Sequence, residues 1–246
     1  YAYVDDILVA SSSEEEHRDH LRALFERLRE YGVTINPAKC VFGRRSVEFL
    51  GYEVSDGGTR PLPARVEAIL ACPEPKTAKA LRRFLGMLNF YRRFLPRAAE
   101  VLAPLNDLLH GNIKGKAEIS WTPQAREAFA KSKENLAQAA LLRHPRIDAE
   151  LALFTDTSEQ SIGATLQQRG SDGWEPLAFF SKKLSPAEVK YSAFDRELLA
   201  IYLAVKHFRH MLEARVFAIY TDHKPLIFAF RQRPEKSTPR RFRHLD

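Results

Sequence analysis

Residues 151–230 follow an order of hydrophobic patterns that few folds can accommodate. Three stretches with the composition of strands come first, and an amphipathic helix, a fourth strand and a short helix follow. Their bounds are Leu151–Thr155, Ile162–Gln168, Leu177–Ser181, an apolar stripe from Phe194 to Phe208, Val216–Tyr220 and Pro225–Phe230. This alternation of strands with a long helix predicts an α/β domain built on a mixed sheet.

Three carboxylates stand at corresponding places in this pattern. Asp156 ends the first strand, Glu197 lies in the first turns of the long helix, and Asp222 follows the fourth strand. A carboxylate held against apolar neighbours is costly unless a cation lies beside it. Each acid alone is more readily a cap or turn residue. Because all three lie at matching ends of one predicted sheet and helix, a site for two Mg²⁺ ions is favoured. Two such ions promote in-line attack of water on a phosphodiester.

The order of elements is that of an RNase H-type α/β fold, in which the carboxyl end of the first strand carries a key acid. Integrases and transposases share this fold but place their glutamate last, on a later helix. Here Glu197 lies between Asp156 and Asp222. The middle position of the glutamate therefore argues against those two enzyme classes.

The chain opens with two adjacent acids, Asp5 and Asp6, in the stretch YAYVDDILVA. The apolar flanks predict a β-hairpin that turns on these acids. Aspartate suits turns, so a plain turn is the commoner interpretation. Adjacent carboxylates also hold divalent cations through their oxygens. The dipeptide alone leaves both interpretations open.

Helices and short strands are predicted between the two acidic regions. A helix over residues 14–31 begins with the capping-box spacing of Ser13 and Glu16, and short strands are predicted at Val33–Ile35 and Val47–Val54. Thr122 and Pro123 predict the start of a further helix. The periodicity lapses between residues 137 and 150, where we expect a domain boundary or linker.

The segment from residue 76 to residue 97, here called the basic segment, carries seven cations and no acid. It contains a predicted helix that Thr77 caps, with an apolar stripe at Leu81, Phe84, Leu85, Leu88 and Tyr91. A solvated polar face is the plain alternative, but such faces usually mix signs. Binding to a phosphate backbone is therefore favoured. The predicted nucleic-acid-binding residues are Lys76, Lys79, Arg82, Arg83, Arg92, Arg93 and Arg97.

Composition narrows the function classes further. The net charge of +7 and the pI of about 9.4 make an anionic partner plausible. Two cysteines, Cys40 and Cys72, exclude a disulfide framework and a cysteine-rich zinc module. The sequence shows neither a signal peptide nor an apolar stretch long enough to cross a membrane, so we expect an intracellular protein, in a cytoplasmic particle or the nucleus. The absence of an initiator Met suggests a fragment.

Motifs along almost the whole chain resemble the pol polyprotein of gypsy-type LTR retrotransposons and, more distantly, that of retroviruses. YVDD at 3–6 resembles the polymerase palm motif, and KCVFGRRSVEFLGYEVSDGG at 39–58 resembles a strand pair that includes the primer grip. LRRFLGMLNFYRRFLPRAAEVLAPL at 81–105 is similar to the thumb and connection segment. TDTSEQSIGATLQQ at 155–168, the segment 179–212 and YTDHKPL at 220–226 resemble the RNase H domain.

The resemblance implies roles for the acids. Asp5 and Asp6 match two palm aspartates that bind the nucleotide-transfer metals, and the third palm carboxylate would lie upstream of the first residue. Asp156, Glu197 and Asp222 match three of the four RNase H acids, and the fourth would lie beyond residue 246. Each site would hold two Mg²⁺ ions, with Mn²⁺ as an alternative. Two further expectations are that Asp246 is structural and that Thr157, where the family commonly has Ala, is tolerated.

The resemblance also implies an architecture and a set of partners. The expected fold is α+β: the end of a polymerase palm over residues 1–60, a thumb and connection segment over 61–145, and an RNase H-like domain over 146–246. The expected activities are RNA- and DNA-directed DNA synthesis in the whole enzyme and hydrolysis of RNA in RNA–DNA hybrids. The expected partners are the hybrid, primer–template and dNTPs, without a membrane, and a homo-oligomer is allowed. The alternative is a catalytically incomplete or co-opted nucleic-acid-binding remnant.

Overall fold

The protein folds into two compact units, which adjoin in sequence between Asp56 and Gly57. The computed structural model describes residues 1–111 and 113–229. The three-part division into residues 1–60, 61–145 and 146–246 remains a prediction. No helix in the described residues is both long enough and apolar enough to span a bilayer.

The first unit, residues 1–56, contains two hairpins and one long helix. Its elements are β1 (Ala2–Tyr3), β2 (Asp6–Ile7), α1 (Glu14–Glu30), β3 (Ser46–Phe49) and β4 (Tyr52–Ser55), with β1–β2 and β3–β4 paired antiparallel. The helix begins as expected, because the Ser13 hydroxyl accepts a hydrogen bond from the Glu16 amide at 3.2 Å.

The prediction of a strand at Val33–Ile35 is wrong. These residues lie outside any strand, between α1 and a 3₁₀ turn at Pro37–Lys39. The backbone N–H of Val33 donates to the carbonyl of Leu28 at 2.9 Å and so closes the helix terminus. A donor that satisfies a helix end is not available to a β-ladder.

The second unit, residues 57–246, begins with a short strand and a set of helices. These elements are β5 (Gly58–Pro61), α2 (Pro63–Leu70), α3 (Ala78–Phe90), a 3₁₀ turn (Arg92–Phe94), α4 (Ala98–Val101), α5 (Ala103–Asp107) and α6 (Pro123–Ala137). Thr77 and Thr122 cap α3 and α6 through their hydroxyls, as predicted. The stripe of α3 is buried as predicted, and the Phe84 ring packs 4.6 Å from the Phe129 ring of α6.

The rest of the unit is a four-stranded mixed sheet with one long helix. The elements are β6 (Leu151–Thr157), β7 (Ser161–Arg169), β8 (Trp174–Lys183), α7 (Pro186–Val189), α8 (Ala193–Leu212), β9 (Phe217–Tyr220) and α9 (Lys224–Ala229). The strand order is β8–β7–β6–β9, in which β6 and β9 are parallel and the other neighbours are antiparallel. The predicted order of strands and helices and the mixed sheet are confirmed.

The sheet is covered differently on its two faces. Leu151 and Leu153 of β6 pack in one buried cluster with Ala204 and Phe208 of α8. Because side chains alternate along a strand, Phe154 and Asp156 point to the other face. The segment that follows α3 contacts this other face, where the amide of Ala99 donates to the Ser181 hydroxyl at 2.9 Å. Asp156 therefore lies on the face that residues outside the sheet domain approach.

Candidate functional site

Two of the predicted acids extend from matching points of neighbouring parallel strands. The register pairs Phe154 of β6 with Tyr220 of β9. Asp156 and Asp222 each lie two residues further along the chain. Carboxyl ends of adjacent parallel strands meet at one edge of a sheet, which is where α/β proteins place their sites. Both aspartates are exposed at this edge.

Glu197 joins this edge from the first turns of α8. The side chain is buried, with 6% relative exposure, and the hydroxyl of Thr157 at the end of β6 donates a hydrogen bond to its Oε1. Burial raises the pKa of Glu197, and the negative charges of Asp222 and Asp156 raise it further, whereas the Thr157 hydroxyl and His223 oppose the shift. The three acids therefore share one electrostatic environment.

Asp156 makes an ion pair with the basic segment. Arg97 Nη2 lies 3.1 Å from Asp156 Oδ2, and Arg97 Nε lies 3.3 Å from a carboxylate oxygen of Glu100. Both partners of the first pair are about half exposed, at 55% and 57% of their side-chain surface. Arg97 thus bridges an acid of α4 to the acid near the end of β6.

A divalent metal fits the donor chemistry of this edge. Glu197 Oε2 is buried and has no hydrogen-bond partner among the described residues. A buried, unpaired carboxylate oxygen whose neighbours are also negative is relieved by a bound cation, and Mg²⁺ prefers oxygen ligands. Within residues 1–111 and 113–229, no three or more His, Cys, Asp or Glu side chains are grouped closely enough to hold a metal. The approach of the three acids to ligand distance remains a prediction.

The second candidate acids lie in the first unit. The hairpin β1–β2 forms as predicted, but its turn is made by Val4 and Asp5, and Asp6 already begins the second strand opposite Tyr3. Val4 has a φ of 50°, which is unusual for a β-branched residue. Strained backbone of this kind is concentrated at functional sites. Asp5 and Asp6 are exposed, and the described residues give them no ion pair.

The seven cations of the basic segment divide into two groups. Three of them have partners within the protein, because Arg82 donates to the Ile113 carbonyl at 2.8 Å, Arg92 bonds to Ser181, and Arg97 pairs with acids. The other four are exposed, and their side chains make no hydrogen bond or ion pair in the described part of the chain: Lys76, Lys79, Arg83 and Arg93. The assignment of all seven to a phosphate backbone remains a prediction.

Several contacts were beyond sequence reasoning because they join residues far apart in the chain. The half-buried Arg92 donates to the carbonyl of Ser181 at 2.6 Å and to its hydroxyl at 3.3 Å, 89 residues away. Burial lowers the pKa of Arg92. Lys182 and Lys183 pair with Glu188 and Asp107. Asp246 lies outside the described residues.

Two family models match the chain. The model described as reverse transcriptase (RNA-dependent DNA polymerase) matches residues 1–54. The model described as the RNase H-like domain found in reverse transcriptase matches residues 121–219. The second match contains β6, β7, β8, α8 and most of β9, and therefore both Asp156 and Glu197.

Whole proteins and solved structures agree with these matches. The Tf2-3 and Tf2-7 transposon polyproteins of Schizosaccharomyces pombe are 38% identical over 228 residues, which cover 92% of this chain and 17% of theirs. The chain is similar in fold to a foamy viral protease–reverse transcriptase in complex with double-stranded DNA, with a TM-score of 0.85, 22% identity, and coverage of 100% of this chain and 43% of that one. The same viral enzyme with an RNA/DNA hybrid gives a TM-score of 0.82, 23% identity, and coverage of 100% and 33%. The chain therefore carries reverse transcriptase and RNase H-like domains, and over most of its length its sequence is similar to the polyproteins of gypsy-type LTR retrotransposons.

Proposed function

We propose that the sheet edge formed by Asp156, Glu197 and Asp222 hydrolyses RNA in RNA–DNA hybrids, and that Asp5 and Asp6 serve DNA synthesis in the whole enzyme. The observation that carries the nuclease proposal is the buried Oε2 of Glu197, which has no hydrogen-bond partner among the described residues and whose carboxyl pKa Asp222 and Asp156 help to raise. Such a carboxylate is costly to ionise, and a divalent cation offsets that cost. The chain spans only 17% of the length of the curated relatives that it matches. RNA cleavage and DNA synthesis by the whole protein are therefore proposed.

The three acids have distinct tasks in this proposal. Asp156 and Asp222 present exposed carboxylates from the strand ends, where a hybrid backbone can reach them. Glu197 supplies a carboxylate that Thr157 orients through one oxygen, which leaves the other oxygen for a ligand. Two bound Mg²⁺ ions would lower the pKa of the attacking water and stabilise the leaving 3′ oxygen. Mn²⁺ is the alternative ion.

The exposed cations of the basic segment supply the proposed nucleic-acid contacts. Lys76, Lys79, Arg83 and Arg93 carry positive charge in a segment, residues 76–97, that contains no acid. A hybrid duplex is bound through backbone phosphates and 2′-hydroxyls, without reading of base sequence. The solved enzymes of similar fold were bound to double-stranded DNA and to an RNA/DNA hybrid, which supports this class of partner. We further propose that the whole enzyme binds primer–template and dNTPs and that it forms a homo-oligomer. Its proposed location is the cytoplasm or the nucleus.

The test is cleavage of a labelled RNA–DNA hybrid in Mg²⁺ by the chain with its flanking coding sequence. Asp156→Asn, Glu197→Gln and Asp222→Asn should each abolish cleavage. The control is Asp172→Asn, an exposed acid in the turn between β7 and β8 at the opposite end of β7 from the candidate site. Full cleavage by the first three variants, with the control unchanged, would overturn the assignment.

The second candidate function is a nucleic-acid-binding remnant without catalysis. The ion pair between Arg97 and Asp156 is the observation that favours it, because a cation of the protein already contacts one candidate metal ligand. This alternative predicts hybrid binding without cleavage, even with the flanking sequence present and at any Mg²⁺ concentration. Metal-dependent cleavage that requires Asp156 would exclude it.

A further inference from the structure

Arg97 is held at Asp156 by a fixed piece of backbone. It immediately precedes α4 and adopts the left-handed conformation, with φ of 51° and ψ of 28°. The next turn is attached to the sheet, because the Ala99 amide donates to the buried Ser181 hydroxyl. Arg92, on the other side of Arg97, bonds to the same serine. Two anchors thus flank Arg97, and its position beside the sheet is part of the fold.

The side chain of Arg97 passes over the strand pair that carries Asp156. Asp156 is the register partner of Gly163 on β7. A Cβ at Gly163 would lie 3.9 Å from Arg97 Cγ, so the arginine stem lies close against this glycine. The guanidinium then reaches Asp156 at 3.1 Å. The contact therefore has packing on the stem as well as charge at the tip.

The partners of the Asp156 and Glu197 carboxylates indicate which cations can bind there. Asp156 has Arg97 as its cationic partner, whereas Glu197 nearby has an oxygen with no partner among the described residues. An arginine next to a carboxylate stabilises its charged form, as a metal ion does. A cation of the protein and a divalent ion that need the same carboxylate oxygen exclude each other, because their charges repel at that distance.

We propose that Arg97 and a divalent cation compete for Asp156, so that Arg97 sets the metal concentration at which the candidate nuclease site fills. The inference rests on the proposed function, because it takes Asp156 as a metal ligand. Arg97 comes from outside the segment that matches the RNase H-like family model, residues 121–219. A residue of the preceding segment thus adjusts a site in the following domain. Arg97 acts on the metal site only through Asp156, so it is a positioning residue and not a metal ligand.

The exposure of the ion pair sets the size of the effect. An ion pair that is about half exposed stabilises weakly and is screened by salt. The competition should therefore change the metal affinity by a few-fold, and a low ionic strength should enlarge the change. A metal ion can displace Arg97 from such a weak ion pair. Arg97 would therefore raise the metal concentration needed to fill the site without blocking the site permanently.

The experiment measures metal binding directly and needs no catalysis. Mn²⁺ is titrated into the 246-residue chain, and free Mn²⁺ is read from its electron paramagnetic resonance signal. Arg97→Gln removes the cation. Arg97→Asn removes it with a residue that accepts the left-handed conformation more easily, which guards against misfolding. Lys190→Gln is the charge-matched control, because Lys190 follows α7 and has no ion pair in the described part of the chain.

The expected result is a dissociation constant for Mn²⁺ that is about 2- to 5-fold lower in both Arg97 variants, the range that an exposed ion pair can supply. Lys190→Gln should change it by less than about 1.5-fold at 0.15 M salt, which screens an exposed charge that makes no ion pair in the described part of the chain. Equal affinities in the Arg97 and Lys190 variants, or weaker binding without Arg97, would overturn the competition.

A further variant separates this inference from the proposed function. Asp156→Asn should weaken Mn²⁺ binding in the wild-type and in the Arg97→Gln background. If it does so while Arg97→Gln has no effect, the metal site stands and only the competition is wrong. If Asp156→Asn leaves Mn²⁺ binding unchanged in both backgrounds, Asp156 is not a metal ligand, and both the proposed site and the competition are overturned.

Discussion

The ring of Phe154 stacks on the ring of Tyr220, with centroids 4.8 Å apart and planes inclined by 11°. The two residues are also register partners in the parallel pair β6–β9. Because a slip of one residue would turn each side chain to the other face, the stacked pair supports the register of these strands. Asp156 and Asp222 follow two residues after each ring, so the same register aligns the two acids.

The first prediction separates the two candidate active sites. With the flanking coding sequence present, Asp156→Asn should reduce hybrid cleavage by at least about 10²-fold, because a missing ligand displaces the reacting groups. DNA synthesis should stay within about 2-fold of wild type, since Asp5 and Asp6 lie in the other compact unit. Primer extension and hybrid cleavage are measured on the same preparation.

Asp5→Asn should give the reverse pattern, with synthesis abolished and cleavage kept. A circular dichroism melt of each variant verifies folding. If Asp5→Asn removed RNA cleavage from a folded protein, the assignment of the two sets of acids to separate sites would be wrong.

The second prediction concerns pH and Glu197. The pKa of Glu197 is raised in the folded state, first by burial and then by Asp222 and Asp156. A raised carboxyl pKa contributes stability at pH below the unfolded value of 4.5, and that stability is lost as the pH rises through the folded pKa. Glu197→Gln should therefore be more stable than wild type at pH 8 in EDTA, by about 1 kcal/mol, the order of the cost of an unsatisfied buried group.

Urea denaturation at pH 5 and pH 8, with EDTA and with Mg²⁺, checks this prediction. The advantage of Glu197→Gln should shrink towards pH 5, where the wild-type carboxyl is closer to neutral. Mg²⁺ should stabilise wild type more than the variant, because a ligand that binds only the folded state stabilises it. A variant less stable than wild type at pH 8 in EDTA would contradict the electrostatic account.

The third prediction compares two adjacent arginines. Arg92 is half-buried and bonds to both oxygens of Ser181, whereas Arg93 is exposed and lies over the Phe94 ring at 5.6 Å. Arg92→Ala should lower the free energy of unfolding by about 2–3 kcal/mol, because Ser181 loses a charged donor. Arg93→Ala should cost no more than about 0.5 kcal/mol. Urea denaturation followed by tryptophan fluorescence gives both values, and equal decreases in the two variants would refute the anchor role of Arg92.

The fourth prediction concerns nucleic-acid binding by the basic segment. The double variant Arg83→Ala/Arg93→Ala should weaken binding of an RNA–DNA hybrid and flatten its salt dependence. The log–log slope should fall by about 0.9 for each phosphate that the variant no longer neutralises, which is the value for duplex DNA. Fluorescence anisotropy over a range of KCl concentrations measures the slope.

The control for this prediction is Lys131→Ala/Arg209→Ala, which removes the same charge from cations that pair with Glu134 and Glu213. It should leave the slope nearly unchanged. If both double variants lowered affinity and slope equally, binding would follow net charge alone, and the basic segment would be no more than a solvated surface.

Local patterns predicted the helices and strands well because their causes are local. Thr77 and Thr122 cap helices through neighbouring amides, and the stripe of α3 is buried where the helical period placed it. The resemblance to retrotransposon polyproteins could be seen in the sequence because its motifs lie in order along nearly the whole chain. Val33–Ile35 failed because a strand requires a partner, and the Val33 amide is already used to close α1.

The sequence alone determined which acids belong together in order along the chain, because each stands beside a strand end or helix start that local periodicity reveals. Only the tertiary structure decided what those acids contact. The burial of Glu197, its bond from Thr157, and the ion pair of Asp156 with Arg97 depend on packing between residues 40 to 59 positions apart. No local pattern encodes such distances. Charge and hydrophobic period fix where a side chain stands on its own element, whereas the fold alone decides which other element approaches it.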